Sequence, residues 1–177
     1  RAYFAGARYD WNDAFRQGQQ ADIDGRHVRK IGNAAYALHQ EGMPEGLSIV
    51  RNSRFNPVPE HVHDYVEISY VYRGSAPQVV NGTQLTLAQN EVLLLDAACP
   101  HAVGELGEHD LMLSIVISRP MLRRSLEQSL SSTSAVSQFL LNALNDETDH
   151  RGHVHFRTGA SRRVRRYIQE MLCELLE

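Results

Sequence analysis

Residues 61–74 read His61-Val62-His63-Asp64-Tyr65-Val66-Glu67-Ile68-Ser69-Tyr70-Val71-Tyr72-Arg73-Gly74. Side chains of an extended chain alternate between two faces. One strand through this stretch therefore puts His61, His63, Tyr65, Glu67 and Ser69 on one side, and Val66, Ile68, Tyr70 and Tyr72 on the other. The first side is chemical and the second is ordinary core. Two imidazoles and a carboxylate are borderline-to-hard donors that suit a divalent transition metal once a further ligand joins them. His101 is the candidate for that ligand. His61, His63, Glu67 and His101 form the candidate metal set. With Tyr65 they are also the candidate lining of a polar small-molecule site, in which hydrogen bonds alone would satisfy the buried carboxylate.

Strand-like segments extend outward from this stretch. Leu47-Ser48-Ile49-Val50 precedes it, and Pro77–Val80 follows it. Asn81-Gly82 then separates Gln78-Val79-Val80 from Thr83-Gln84-Leu85, and Asn-Gly supplies the two positive-φ residues of a type I′ hairpin. Val92-Leu93-Leu94-Leu95 is a continuous apolar run of the kind covered on both faces, and Leu111–Ser118 reads as another. Short strands joined by Gly, Pro and Asn turns predict an antiparallel sandwich or barrel over residues 46–118. After Pro120 the period becomes helical: Met121–Leu130, then a serine-rich break, then a helix with Val136, Phe139, Leu140, Ala143 and Leu144 on one stripe. His153–Phe156 is a short candidate strand. A last helix from Ser161 spaces Val164, Ile168, Met171 and Leu175 as a seam, which suits either a second copy or this chain's own domain. Residues 119–177 thus read as a helical segment. Residues 1–45 read as an N-terminal arm with short helices expected at Asp10–Gln20 and Ile31–Gln40, broken by Gly25, Gly42 and Pro44.

Composition narrows the classes. At 177 residues there is room for one domain with its own core and some added helix. The formal net charge of -3 argues against nucleic-acid binding through a broad basic surface. The run Arg162, Arg163, Arg165 and Arg166 reads as a solvated helix face. Cys99 and Cys173 are the only cysteines and have no CxxC partner, which predicts reduced, buried thiols and neither a disulfide scaffold nor a thiolate zinc site. No apolar run approaches the roughly 20 residues of a membrane helix, and the first residues lack a signal-peptide pattern, so a cytoplasmic protein is expected. The chain begins with Arg1 and ends in helix-like sequence, which fits a piece of a longer protein.

Read as a pattern, residues 61–74 are His, one residue, His, three residues, Glu, six residues, Gly, which resembles the first motif of the cupin superfamily. The glycine that usually precedes that motif is Phe55 here. The second cupin motif falls on Asn90, Asp96, Ala98, His101 and Glu105, of which only the histidine matches. A wider resemblance is carried by Arg54-Phe55-Asn56-Pro57, by His61–Glu67, by Tyr70–Gly74, by Asn90–Leu95, by Pro100-His101, and by the helices from Phe139 and from His155. This resembles the sensor half of AraC-type bacterial transcription regulators. It implies a cupin-like antiparallel β-barrel followed by helices, acting as an effector-binding and dimerisation module.

The resemblance implies four further things. A small polar effector, a sugar or related metabolite, would contact His61, His63, Tyr65, Glu67 and His101. The dimer would form through the C-terminal helices. DNA would be reached only through a helix-turn-helix domain that this sequence does not contain. The alternative is a metal-dependent cupin enzyme, a dioxygenase or isomerase, holding zinc, nickel, manganese or iron at His61, His63, Glu67 and His101. The eroded second motif and the long helical segment weigh against it.

Overall fold

The computed structural model of the chain describes residues 19–23, 26–31, 46–127, 134–145 and 149–176. Its strands are β1 (Gln19–Ile23), β2 (Arg26–Ile31), β3 (Leu47–Arg51), β4 (Val58–His63), β5 (Val66–Arg73), β6 (Ser75–Val80), β7 (Thr83–Ala88), β8 (Val92–Leu95), β9 (His101–Val103), β10 (Leu111–Ile117) and β11 (His153–Phe156). The helices are α1 (Arg119–Glu127), α2 (Ala135–Asn142) and α3 (Arg162–Leu176). Two sheets form the cupin-like barrel, one ordered β1-β2-β4-β9-β6-β7 and the other β11-β8-β5-β10-β3. Every pairing is antiparallel except β2 beside β4.

The local reasons are readable in the residues. Asn81 and Gly82 take φ of 48° and 73°, and Val80 pairs with Thr83 across them, the hairpin that Asn-Gly predicts. Each helix starts on a serine whose hydroxyl accepts a first-turn amide: Ser118 from Met121, Ser134 from Ser137, and Ser161 from Val164. Three of the four positions where the cupin pattern carries glycine share one backbone demand, Ala98 being the exception. Gly74 has φ of 78°, and Phe55 and Asn90 have φ of 62° and 64°. At two of those three the left-handed turn is made without glycine. Asn tolerates that region, whereas Phe is strained in it.

Two cores hold the layers. Inside the barrel, Val58, Val71, Ala76, Val80, Leu87, Leu93, Leu95, Cys99, Val103, Leu106 and Met112 pack together. On the outer face Val66, Leu122 and Ala143 meet, flanked by Ile117, Leu126, Phe139, Leu140 and Leu144, so α1 and α2 cover the sheet that carries β5. At about 1.5–3 kcal/mol for each fully buried aliphatic side chain, these clusters are the main source of stability. β8 runs between β5 and β11, which explains its unbroken apolar sequence.

Several expectations are corrected. Residues 61–74 are not one strand: the chain bends at Asp64 and Tyr65, and β4 and β5 belong to different sheets. The arm is not helical where it is described, because Gln19, Gln20 and Ile31 lie in strands and β2 extends the barrel sheet beside β4. The rest of the two helices expected before residue 41 lies outside the described residues. The 119–177 segment is not helical throughout, since β11 returns to the sheet beside β8, so residue 118 does not close the barrel. The first helix begins at Arg119 and is described as far as Glu127, while residues 128–130 lie outside the described residues. Cys99 is buried as expected, but Cys173 is exposed; both are free thiols.

Candidate functional site

The corner at Asp64 and Tyr65 builds the site. It lets β4 deliver His63 from one sheet and β5 deliver Glu67 from the other, while β9 brings His101, whose neighbour Ala102 pairs with Val79 and whose own partner across β4 is His61. His63 Nε2 lies 3.4 Å and His101 Nε2 3.8 Å from the same oxygen, Glu67 Oε2. One ligand atom from each of the three falls within 4.8 Å of the others, and the three residues are buried. Among the described residues no other group of His, Cys, Asp or Glu meets this spacing.

The remaining predicted residues surround this trio. The His61 ring stands 4.2 Å from that of His101, and its Nδ1 is 2.8 Å from the Pro59 carbonyl oxygen. His61 is a neighbour of the trio and lies outside the group of three whose ligand atoms fall within 4.8 Å of one another. Tyr65 stacks on His63 with ring centroids 3.9 Å apart and planes 12° from parallel. It acts as a wall that fixes the imidazole, and it reaches that position through the bend and not through strand alternation.

Hydrogen bonding sets the polarity of the trio. His101 Nδ1 lies 2.9 Å from the Cys99 carbonyl oxygen, which can only accept, so that nitrogen carries the proton. Its Nε2 then presents a lone pair toward Glu67. The Ser69 hydroxyl donates to Glu67 Oε1 at 3.1 Å. Burial opposes ionisation of Glu67, but the His63 and His101 imidazoles and the Ser114 hydroxyl outweigh it and hold the carboxyl well below the usual carboxylate range. Burial, aided by His63, pushes His101 down to about 4, against the pull of Glu67. Burial, with His101 and His63, likewise lowers His61. At neutral pH a carboxylate therefore faces the lone pair of an uncharged imidazole.

The lone pair of His101 Nε2 thus faces an acceptor, Glu67 Oε2, while the His63 ring, with one N–H on Nδ1 or Nε2, stands beside the same oxygen. Among the described residues no hydrogen-bond partner reaches His63 Nδ1, His63 Nε2 or His101 Nε2. The His63–Glu67 approach is close enough for charge attraction, yet its direction is not that of a hydrogen bond. Buried polar atoms are ordinarily paired, and a group that accepts electron pairs would complete this arrangement. A divalent transition cation fits such a 2-His-1-carboxylate set.

Sequence reasoning placed Ser69 in phase with Glu67 but gave it no role, and it missed Ser114 and Gln78. Ser114 faces Ser69 across the β5–β10 ladder and accepts from Asn52 Nδ2 at 2.9 Å. Nothing in an apolar strand sequence marks one serine as interior. The second His-x-His pair also has a carboxylate that the sequence did not reveal: His155 Nε2 is 2.9 Å from Glu91 Oε2. His153 is exposed. Glu105, at the eroded end of the second motif, is exposed and takes no part in the trio.

No curated protein matches the chain by sequence. Among solved structures, the chain is similar to ToxT from Vibrio cholerae O395 bound to (E)-4-(8-methylnaphthalen-1-yl)but-3-enoic acid, with 12% identity, 74% of this chain and 48% of that chain covered, and a TM-score of 0.49. It spans about half the length of that structure. It is also similar to KdgF from Halomonas sp., with 18% identity, 43% and 73% covered, and a TM-score of 0.38. A cupin superfamily protein from Desulfitobacterium hafniense gives 19% identity, 44% and 72% covered, and a TM-score of 0.38. The sequence profile of the AraC-like ligand binding domain matches residues 50–151, which contain the whole His63–Glu67–His101 trio. Over more than half of its length, then, this chain belongs to the family of AraC-like ligand-binding domains.

Proposed function

We propose that the chain is the effector-sensing module of a transcription regulator, not a catalyst, and that His63, Glu67 and His101 are its sensing centre. The observation that carries this reading is the buried acceptor cluster at the heart of an AraC-like ligand-binding domain, with ring nitrogens that no group of the chain satisfies. Those three residues would hold a divalent transition ion, zinc, nickel, manganese or iron. When bound, the ion supplies a Lewis-acidic centre for an oxygen of the effector.

The chain's own residues orient this centre. The Cys99 carbonyl fixes the tautomer and tilt of His101, Tyr65 holds the His63 ring by stacking, and Ser69 aims Glu67. Calorimetric titration of Zn2+, Mn2+, Ni2+ and Fe2+ into metal-free protein tests the reading. Binding that disappears in Glu67→Gln supports it, and absence of binding for all four ions removes the metal from the centre.

Dimerisation through α3 and contact with DNA through a domain outside this sequence belong to the same proposal. α3 is charge-polarised, with Arg162, Arg163, Arg165 and Arg166 exposed near its start and Glu170 and Glu174 exposed near its end. Among the described residues of this helix, Arg166 and Glu170 pair at 2.7 Å. An antiparallel second copy sets the basic half of each helix against the acidic half of the other, with Tyr167, 66% exposed, between them. The apolar seam Val164, Ile168 and Met171 is half-buried within the chain, and Gln169 Nε2 donates to Tyr72 Oη at 3.4 Å, so the same helix also leans on β5. Light scattering of Tyr167→Asp checks the pairing: a monomer is expected, and an unchanged dimer places the interface elsewhere. No helix among the described residues is long and apolar enough to cross a membrane.

A further inference from the structure

Residues 96–100 join β8 to β9 and touch two members of the trio. The Ala97 carbonyl accepts from the His63 amide at 3.2 Å, and the Cys99 carbonyl accepts from His101 Nδ1 at 2.9 Å. His63 is the last residue of β4 and His101 the first of β9. One loop therefore fixes the backbone that carries the first imidazole and the ring of the second. Its amides serve the other side. Asp96 N donates to the Gly152 carbonyl at 3.0 Å, and Ala98 N donates to the His150 carbonyl at 2.9 Å. The loop thus stands between residues 150–152, which lead into β11, and the site.

Asp96 organises this loop. It is 3% exposed, and all four of its polar groups are engaged. Besides the amide bonded to Gly152, its carbonyl accepts from Cys99 N at 3.1 Å, its Oδ1 accepts from Ala97 N at 2.7 Å, and its Oδ2 lies 3.3 Å from His150 Nδ1. A short carboxyl side chain that bonds the backbone beside it fixes a turn where no ladder does. Both residues bonded to Asp96 within the loop, Ala97 and Cys99, are those whose carbonyls reach the trio. Asp96 is also a position at which the chain departs from the second cupin motif. His150 is not a neutral space-filler: its Nε2 is buried with no partner among the described residues. An unpaired ring nitrogen costs stability that an aliphatic side chain would keep. What the imidazole adds is its contact with Asp96.

We propose that Asp96, braced by His150, is a positioning residue of the sensing centre, holding the loop whose Ala97 and Cys99 carbonyls set His63 and His101. It acts through the loop and not as a ligand. The inference rests on the metal-centre reading above and adds the residues outside the trio on which its affinity depends. The test uses Asp96→Ala and His150→Ala in the full-length protein, with Leu122→Ala as a control that loosens the chain away from the loop. Calorimetry after EDTA treatment and dialysis gives the Kd for Zn2+. Proton–nitrogen correlation spectra of the imidazoles in metal-free protein give the tautomer of His101, identified by the signals that vanish in His101→Gln.

Both loop variants are expected to weaken Zn2+ about tenfold or more, the usual effect of losing a group that orients a ligand. Both are also expected to lose the single Nδ1–H tautomer of His101. Leu122→Ala melts lower yet keeps the wild-type Kd and tautomer. If Asp96→Ala folds poorly, His150→Ala carries the test, because it leaves the bond between Asp96 Oδ1 and Ala97 N in place. The inference is overturned if the folded variants keep Kd within about twofold of wild type, if they keep the single tautomer, or if Leu122→Ala weakens Zn2+ as much as they do. The underlying reading fails separately. If wild type binds no Zn2+, the metal centre falls and the spectra alone decide: a His101 tautomer lost in the variants upholds the positioning role, and one that persists ends it.

Discussion

A Glu67→Gln substitution keeps the shape of the side chain and exchanges one carboxylate oxygen for an NH2 group. In the native arrangement Glu67 Oε2 lies 3.8 Å from His101 Nε2, a nitrogen whose lone pair faces it because Nδ1 is committed to Cys99. The amide offers a donor to that lone pair and keeps the oxygen that Ser69 contacts at 3.1 Å. One new hydrogen bond contributes about 0.5–1.5 kcal/mol, and relief of an unpaired buried acceptor adds to it. Lost attraction between the carboxylate and the imidazole and hydroxyl groups that hold it ionised outweighs the gain. The metal-free variant is therefore expected to melt below wild type.

Zinc widens the gap. At an ion concentration of about one hundred times Kd, wild type gains about 2.7 kcal/mol, roughly 5–10 °C, and the variant gains none. Thermal unfolding in EDTA and in Zn2+, followed by circular dichroism, reads both effects in one experiment. A metal-free variant that melts at or above wild type would show that the imidazole and hydroxyl neighbours do not stabilise the Glu67 carboxylate, and the description of the site's polarity would be wrong.

Other perturbations probe the scaffold. Leu122→Ala empties a 4%-exposed position between α1 and β5 and is expected to cost about 2–5 kcal/mol in denaturant unfolding, whereas a loss under about 1 kcal/mol would mean that the helix is not seated there. Phe55→Gly removes a 42%-exposed ring from a left-handed residue, so chemical unfolding should change by no more than about 1 kcal/mol in either direction; a larger loss would make the ring a packing element. Asp110 accepts from the Ser75 and Gly107 amides, which hold its carboxyl below the ordinary value of 3.8. Its contribution is therefore present above that value and is lost as pH falls through the lower folded-state value. Acid titration of Asp110→Asn should show a shallower fall in stability below pH 3.8 than wild type, and parallel curves would remove the cause.

How far the sequence could be read follows from which features are local. The Asn81-Gly82 hairpin and the apolar β8 run depend on neighbours in the chain, and each sits where the residues place it. The glycine pattern was legible only in part: Phe55 and Asn90 looked like departures from the cupin motif, yet their φ values keep the turns that the glycines serve. His63, Glu67 and His101 were legible as residues but not as geometry. Strand alternation assigned them to one face, whereas a bend carries His63 and Glu67 on opposing sheets that meet. Gln78 and Ser114 carried no signal because their interior positions depend on registers set across the barrel, Gln78 against Val103 and Ser114 against Ser69. The β11 strand and its Glu91–His155 contact join residues 64 positions apart, a pairing that no local pattern encodes.

The most direct test is crystallographic. Crystals grown with Zn2+ and measured on both sides of the zinc absorption edge locate the ion without assumption. One anomalous peak per chain is expected, about 2.0–2.2 Å from His63 Nε2, His101 Nε2 and a Glu67 oxygen. A peak at the Glu91–His155 pair instead, or no peak inside the barrel, would contradict the assignment of His63, Glu67 and His101 as the centre of this ligand-binding domain.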